Sequence, residues 1–99
     1  MAAIAVSELN ADIAFVAANA GGDTVVSGID NANHVLDGVF LLVNNAAVAG
    51  ITVTVGGVAY TVGAEEIHAL PANKGVYPGT VIAVTYSAVT TVTVAAFRT

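Results

Sequence analysis

The sequence of 99 residues predicts an all-β fold, a single small β-sandwich or barrel of about seven to eight short antiparallel strands over residues 1–99. Three observations support this prediction. The chain has 18 valines, which are β-branched and favour strands. Glycine and asparagine turn signals recur at the spacing typical of short strands. No segment shows the apolar 3.6-residue period of a helix over a sufficient length.

The first half of the chain begins with its most ambiguous segment. Residues 3–8 and 13–18 can each form a strand, so residues 1–20 are expected to be an N-terminal arm or edge strands. Residues 39–43 form an unbroken apolar run of strand length. Such a run is typical of a central strand covered on both faces, and Asn44 is expected to end it.

The second half has the clearest local pattern. Valine and isoleucine alternate with threonine over residues 51–55, which predicts a half-buried strand. Gly56 and Gly57 can both adopt a positive φ, which predicts a two-residue hairpin turn into a return strand at 58–62. Pro71 is expected to mark an edge strand or a strand exit. Further short strands are predicted at 24–27, 66–70, 81–86 and 89–97.

Composition excludes several classes of function. Hydrophobic residues make up 57% of the chain and charged residues 9%, with a net charge of −5, which excludes intrinsic disorder. Lys74 and Arg98 are the two cations, so no nucleic-acid partner is expected. No apolar run is long enough for a membrane helix, so no membrane partner is expected either. The absence of cysteine excludes disulfides and thiolate zinc sites.

A domain of this size buries only part of its apolar surface. With so few charges, much alanine, valine and threonine must remain outside the core, and a contiguous patch of this kind usually contacts a partner. We therefore expect copies of the chain to form a homo-oligomer, for example a trimer. The expected contacts lie in residues 1–12 and in the loop 71–79. The predicted interface residues are Ile4, Val6, Lys74, Val76 and Tyr77.

Two polar groups could support chemistry, and each has a plainer explanation. Asp30, His34 and Asp37 could together bind a metal ion, but Asp and Asn in such a loop commonly form turns with their own backbone. Glu66 and His68 lie on one strand face and could form a carboxylate–imidazole pair, or simply a solvated face or subunit contact. No nucleophile motif accompanies them. We therefore predict no enzyme activity, no catalytic residue, no metal and no cofactor.

The tyrosines leave one alternative function open. Tyr60, Tyr77 and Tyr86 could form a stacking platform for a ligand, although buried tyrosines with hydroxyls at the rim are commoner. A carbohydrate- or ligand-binding β-sandwich module is therefore an alternative to an assembly subunit.

The segments 37–45, 51–55 and 84–97 resemble small structural proteins of tailed bacteriophage virions. The shared layout is an apolar strand ending in Asn, a Thr/Val hairpin, a proline-containing loop, a tyrosine strand and a Val-Thr-Val-Ala-Ala end. The chain departs from that layout at Asn44, where a basic residue is common, and in its short Gly56-Gly57 turn.

The resemblance implies a non-enzymatic capsid decoration or cement protein on the virion surface, made in the bacterial host cytoplasm. Its implied partners are the major capsid protein and copies of itself, and it would reinforce the head shell. A head–tail joining or tail component is the alternative within the same class.

Overall fold

The computed structural model describes residues 2–8, 14–27, 38–72, 77 and 79–98. Over these residues the predicted all-β fold is confirmed, and no described residue lies in a helix. The strands are β1 Ala2–Ala3, β2 Val6–Glu8, β3 Val16–Ala17, β4 Asp23–Val26, β5 Val39–Asn45, β6 Ile51–Val55, β7 Val58–Val62, β8 Glu66–Pro71, β9 Val81–Tyr86 and β10 Val92–Arg98.

The strands form two sheets, as expected for a small β-sandwich. Sheet A has the order β1-β4-β9-β6-β7. Sheet B has the order β2-β10-β5-β8, with β3 also pairing β10. The longer strands β4 to β10 account for the predicted number, and all their pairings are antiparallel. The short β1 and β2 pair in parallel with β4 and β10.

A single hydrophobic core lies between the sheets, because alternate residues of each strand point inward. In sheet A this pattern buries Val53 and Val84, and in sheet B it buries Leu41 and Val94. All four are fully inaccessible to solvent and belong to one cluster. Burial of valine and leucine side chains provides the main stabilisation of such a fold.

The predicted hairpin between β6 and β7 is confirmed. Gly56 and Gly57 have φ of 57° and 86°, the left-handed values that a two-residue turn of this type requires. The turn sets the register in which Thr52 lies opposite Thr61 and Val53 opposite Tyr60.

The N-terminal segment connects the two sheets along one side of the sandwich. It forms the edge strand β1 on sheet A, crosses at Ile4 and Ala5, and forms the edge strand β2 on sheet B. Ile4 lies in the core and its backbone N–H donates to Thr24 O at 2.8 Å. The described part of residues 1–20 therefore contains edge strands, one of the two expected arrangements.

Several predicted strand bounds were wrong, and the strand predicted over 3–8 is divided between β1 and β2 in different sheets. β5 continues through Asn44 and Asn45, because both residues pair with β8 and β10. The last strand begins at Val92, since Thr91 has a positive φ of 55° and the Val92 N–H closes a turn onto Val89 O. The strand predicted over 13–18 is limited to Val16–Ala17 in the part of that segment that the structure describes.

Candidate interaction surface on sheet B

The outward side of sheet B is made largely of apolar side chains. Phe40 lies opposite Phe97, and the two rings stack with centroids 5.5 Å apart. Where β5 pairs with β8, Leu42 lies opposite Ala69, and Ile67, the next outward residue of β8, is 61% exposed. We call these five residues the apolar face.

The apolar face carries no charge. Among the described residues that point outward from β5, β8 and β10, none is ionisable. Phe40, Leu42 and Phe97 are half-buried, while Ile67 and Ala69 are exposed. The run 39–43 was predicted to be covered on both faces. Its inner face is covered by the core, whereas its outer face is partly open to solvent.

Sheet A presents five threonines on its outward side, together with the exposed Val26 and Val81, which lie opposite each other. Thr52 lies opposite Thr61, and Thr54 lies opposite Thr85. Thr24 on β4 also points outward, beside Ala83. Cross-strand threonine pairs stabilise a sheet while their hydroxyls remain available to water. We call these five threonines the threonine face.

The free edge of sheet B is β8, which pairs only with β5 among the described strands. The Ala72 N–H donates to Val39 O at 2.8 Å. Hydrogen-bonded and non-hydrogen-bonded pairs alternate along an antiparallel ladder. The backbone N–H and C=O groups of Ile67 and Ala69 therefore point away from β5, toward the free edge. Pro71 points the same way, where its missing N–H breaks no ladder bond.

Glu66 and His68 form the contact predicted from their spacing. His68 Nε2 lies 2.9 Å from Glu66 Oε1, with the two side chains 41% and 56% exposed respectively. The Gly63 N–H donates to the same carboxylate oxygen at 3.1 Å. The hydrogen bond with His68, and then that from Gly63, lowers the pKa of Glu66 below its ordinary value. The pair is a solvated feature of the β8 edge.

The predicted interface residues fall in different environments. Ile4 is 6% exposed in the core, and Val6 packs against that core. Tyr77 is 85% exposed, and its carbonyl accepts a 2.6 Å hydrogen bond from Ser27 Oγ. Lys74 and Val76 lie outside the described residues. That these five residues contact a partner stays a prediction, and of the three that the structure describes only Tyr77 is exposed.

Beside Val6 lies a small pocket of about 60 Å³, lined by Val6, Val26, Ser27, Val39 and Arg98. A space of this size holds one or two water molecules rather than an organic ligand.

Besides Ser27, sequence reasoning missed two buried polar side chains among the described residues. Asn45 has no exposed surface, and its amide donates to Ala49 O, Val62 O and Gly63 O at 2.9, 3.4 and 3.1 Å. Its Oδ1 accepts from the Ala47 N–H at 3.1 Å. The side-chain hydrogen bonds of Asn45 therefore connect the loop that follows β5 with the loop that follows β7.

The second buried polar side chain is Asp23, which is 2% exposed and accepts a 2.7 Å hydrogen bond from the Tyr86 hydroxyl. Burial, together with this bond to a carboxylate, raises the pKa of Tyr86 well above its ordinary value. Tyr86 and Tyr60 both lie opposite Val53 on the inner side of sheet A. They pack against the core, whereas Tyr77 is exposed in a loop.

The residues proposed for a metal site, Asp30, His34 and Asp37, lie outside the described residues. Within the described ranges, no group of three or more His, Asp or Glu side chains is placed to hold a metal ion. The same part of the chain contains no helix long and apolar enough to span a membrane.

No protein-family model, curated protein or solved structure matches the chain.

Proposed function

We propose that the protein is a non-enzymatic structural protein of a tailed-bacteriophage virion, a decoration or cement protein that binds the head shell and copies of itself. The observation that supports this best is the apolar face. Its five side chains are uncharged, and they form a continuous outward surface on three neighbouring strands. Contiguous exposed apolar surface of this kind is typical of a surface that contacts another protein.

The energetics of such a contact suit a shell-binding subunit. Burying Phe40, Leu42 and Phe97 further removes no charge from water, so the desolvation cost of ions is avoided. A single small interface of this type binds modestly. Many copies that bind both the shell and one another gain strength through avidity.

The two faces also suggest an orientation. In this proposal the apolar face packs on the major capsid protein or on a neighbouring copy, and the threonine face points to solvent. Exposing threonine hydroxyls to water costs little free energy, whereas exposing phenylalanine rings to water is unfavourable. The oligomer, for example a trimer, would then expose mainly its threonine face on the virion.

The test is co-sedimentation of the purified protein with capsids that lack it, taken from the phage that encodes the chain. Leu42→Lys introduces a charge into the apolar face, and Thr54→Lys makes the matched change on the threonine face. We expect Leu42→Lys to reduce capsid occupancy at least about tenfold, the loss expected from about 1.4 kcal/mol of binding energy. Thr54→Lys should bind as the wild type does.

Two results would contradict the proposal. One is wild-type protein that does not bind the capsids at any concentration tested. The other is equal loss of binding in both lysine variants, which would show that the apolar face has no special role. Binding to purified tails or connectors instead of heads would favour a tail or head–tail joining component.

One observation favours a second candidate, a carbohydrate-binding module. Tyr77 is 85% exposed, as a stacking residue for a sugar would be. A glycan array that shows a defined ligand for the wild type, lost in Tyr77→Ala, would support this function. An array without any binding would remove it.

A further inference from the structure

We propose that the free edge of β8 pairs antiparallel with β8 of a second copy, about a two-fold axis through Ile67. This inference rests on the self-association included in the proposed function, and it names the surface and the register. The contact would join the two copies of sheet B into one continuous sheet.

The first argument comes from the backbone. The N–H and C=O groups of Ile67 and Ala69 point away from β5, as the Ala72–Val39 hydrogen bond and the ladder alternation require. Within the described part of the chain, no strand pairs with this edge. Unpaired edge groups of this kind are a template for pairing with another chain. In the proposed register, Ile67 of a second β8 supplies the donor and acceptor that face Ile67 of the first.

The second argument comes from charge. A two-fold axis through Ile67 places Glu66 of each copy opposite His68 of the other. Each carboxylate then lies beside an imidazole of the second copy in addition to its own, 2.9 Å away. An imidazole N–H can donate to a carboxylate across an antiparallel pair, whereas two carboxylates directly opposite each other are destabilising. The strand is therefore complementary to itself in this register.

The neighbouring registers lose the contact between Glu66 and His68, although an axis through His68 would pair Ile67 with Ala69 twice along the backbone. An axis through His68 would place the two imidazoles opposite each other and Glu66 opposite Leu70. An axis through Ala69 would place Ile67 opposite Pro71, which has no N–H to donate. The Ile67 register pairs the free backbone groups of the two Ile67 residues and places Glu66 beside His68, while Ala69 lies opposite Glu65, whose N–H donates to Ala47 O.

Among the longer described strands, β7 also has a free edge, and it lacks this complementarity. The Gly56 N–H donates to Ala83 O, and the Ser87 N–H donates to Thr52 O. These bonds fix which residues of β6 face β9 and which face β7. By the same alternation, the free backbone groups of β7 belong to Ala59 and Thr61. No residue of β7 is charged. Charge complementarity therefore distinguishes β8 from β7.

The contact would also enlarge the proposed binding surface. Ile67 points outward with 61% of its surface exposed, and across the axis it would lie against Ile67 of the second copy. The two apolar faces then become neighbours on one side of a single sheet. A dimer could present both to the shell, which strengthens binding through avidity.

The most direct test uses a cysteine, because the chain has none of its own. In the proposed register, the two Ile67 Cα atoms form a hydrogen-bonded antiparallel pair about 5.5 Å apart, within reach of a disulfide. We expect Ile67→Cys to give a disulfide-linked dimer under mild oxidation. The control Thr61→Cys, on the edge of β7, should remain mostly unlinked. Equal cross-linking of both variants, or none at position 67, would overturn the proposal.

A second test uses charge and is independent of the disulfide. A variant with Glu66→Lys and His68→Lys places lysine opposite lysine, and His68→Glu places glutamate opposite glutamate. Each variant alone should be a monomer by light scattering at concentrations where the wild type dimerises. An equimolar mixture should dimerise again, because it restores opposite charges in both pairs. Unchanged dimers in the separate variants, a monomeric wild type, or a monomeric mixture would each contradict the register.

The outcomes separate this inference from the proposed function. Both charge variants leave the apolar face unaltered, so a variant that is monomeric but still binds capsids would support the β8 contact and the shell-binding function. A variant that stays dimeric while the wild type binds capsids would overturn the β8 contact alone. A β8 dimer that binds no capsid would overturn the shell-binding function alone.

Discussion

The two sheets of the sandwich differ on both of their sides. Sheet B carries stacked phenylalanines outside and the buried Asn45 inside, with Glu66 and His68 at its solvated edge, while sheet A carries threonines outside and the hydrogen-bonded pair Asp23 and Tyr86 inside. Both sheets contribute alternating valines to the same core. Core packing alone therefore does not determine what each sheet presents to its surroundings.

The difference shows how a chain with few charges separates two tasks. In sheet A, threonine hydroxyls lie beside the exposed Val26 and Val81 on the outer surface, so the threonine part of that surface contacts water at little cost. In sheet B, the buried Asn45 is satisfied by backbone groups, and the outer surface is left apolar. We infer that sheet A is suited to solvent and sheet B to a partner. The following four predictions test this contrast, in order of decreasing effect.

The largest effect is expected for Asn45→Ala, which removes the buried side-chain amide that hydrogen-bonds the loops beside sheet B. The substitution leaves the buried carbonyls of Val62 and Gly63 without this donor, so we expect a loss of about 3 kcal/mol in the free energy of unfolding. Chemical denaturation measures it. Asn44→Ala, one residue earlier on the outward side, is the control and should cost less than about 1 kcal/mol. Equal losses of unfolding free energy in the two variants would show that the hydrogen bonds of Asn45 add no particular stability.

Phe97→Ala should have the next largest effect, because it removes the stack on Phe40 from the apolar face. The rings are half-buried, so we expect a loss of about 2 kcal/mol rather than the larger value of a fully buried phenylalanine. Phe97→Leu retains apolar contact and should recover about half of it. A loss of stability below about 0.5 kcal/mol in thermal or denaturant unfolding would show that the outer side of sheet B is not packed.

The inner side of sheet A should make stability sensitive to alkaline pH. The pKa of Tyr86 is raised in the folded protein, so its contribution is fully present below the ordinary tyrosine pKa of about 10 and is lost as pH rises above it. We expect the wild type to lose about 1 kcal/mol between pH 10 and 11 relative to Tyr86→Phe, allowing for solvent screening. The same difference in unfolding free energy between the wild type and Tyr86→Phe at pH 10 and at pH 11 would contradict this. Tyr77→Phe, at an exposed tyrosine, is the control.

The smallest effect is expected on the threonine face. Thr54→Lys should change the free energy of unfolding by less than about 0.5 kcal/mol, because the half-buried side chain points outward between Ala59 and Thr85, from where a lysine amine reaches solvent. Denaturant unfolding of Leu42→Lys, the matched change on sheet B, should show a greater loss because Leu42 is half-buried against apolar neighbours. Equal tolerance of both substitutions would remove the contrast between the outer sides.

Local pattern predicted the parts of the fold that depend on neighbours in sequence. The alternation of Val53 with Thr54 and the glycines at 56 and 57 define a hairpin within a few residues, and the structure contains it. The predicted end of β5 was wrong because Asn45 is held by Val62 and Gly63, which are distant in sequence. A two-residue strand such as β3 depends on its partner β10 and not on its own composition.

The candidate surface was only partly predictable. The spacing of Glu66 and His68 indicated their contact, and the structure confirms it. The stack of Phe40 on Phe97 joins opposite halves of the chain, so no local pattern could reveal it. The unbroken apolar run from residue 39 was the available signal, because a strand with both sides apolar must present one of them to a neighbour or a partner.

The crossing of the N-terminal segment from sheet A to sheet B affects how the protein folds. Val6 pairs with Ala96, so nearly the whole sequence separates the two strands of this ladder. Pairings between distant residues slow folding, because a long loop must close before they form. During synthesis β2 has no partner until β10 has left the ribosome. We therefore expect this side of the sandwich to close last, after the local hairpin of β6 and β7 has formed.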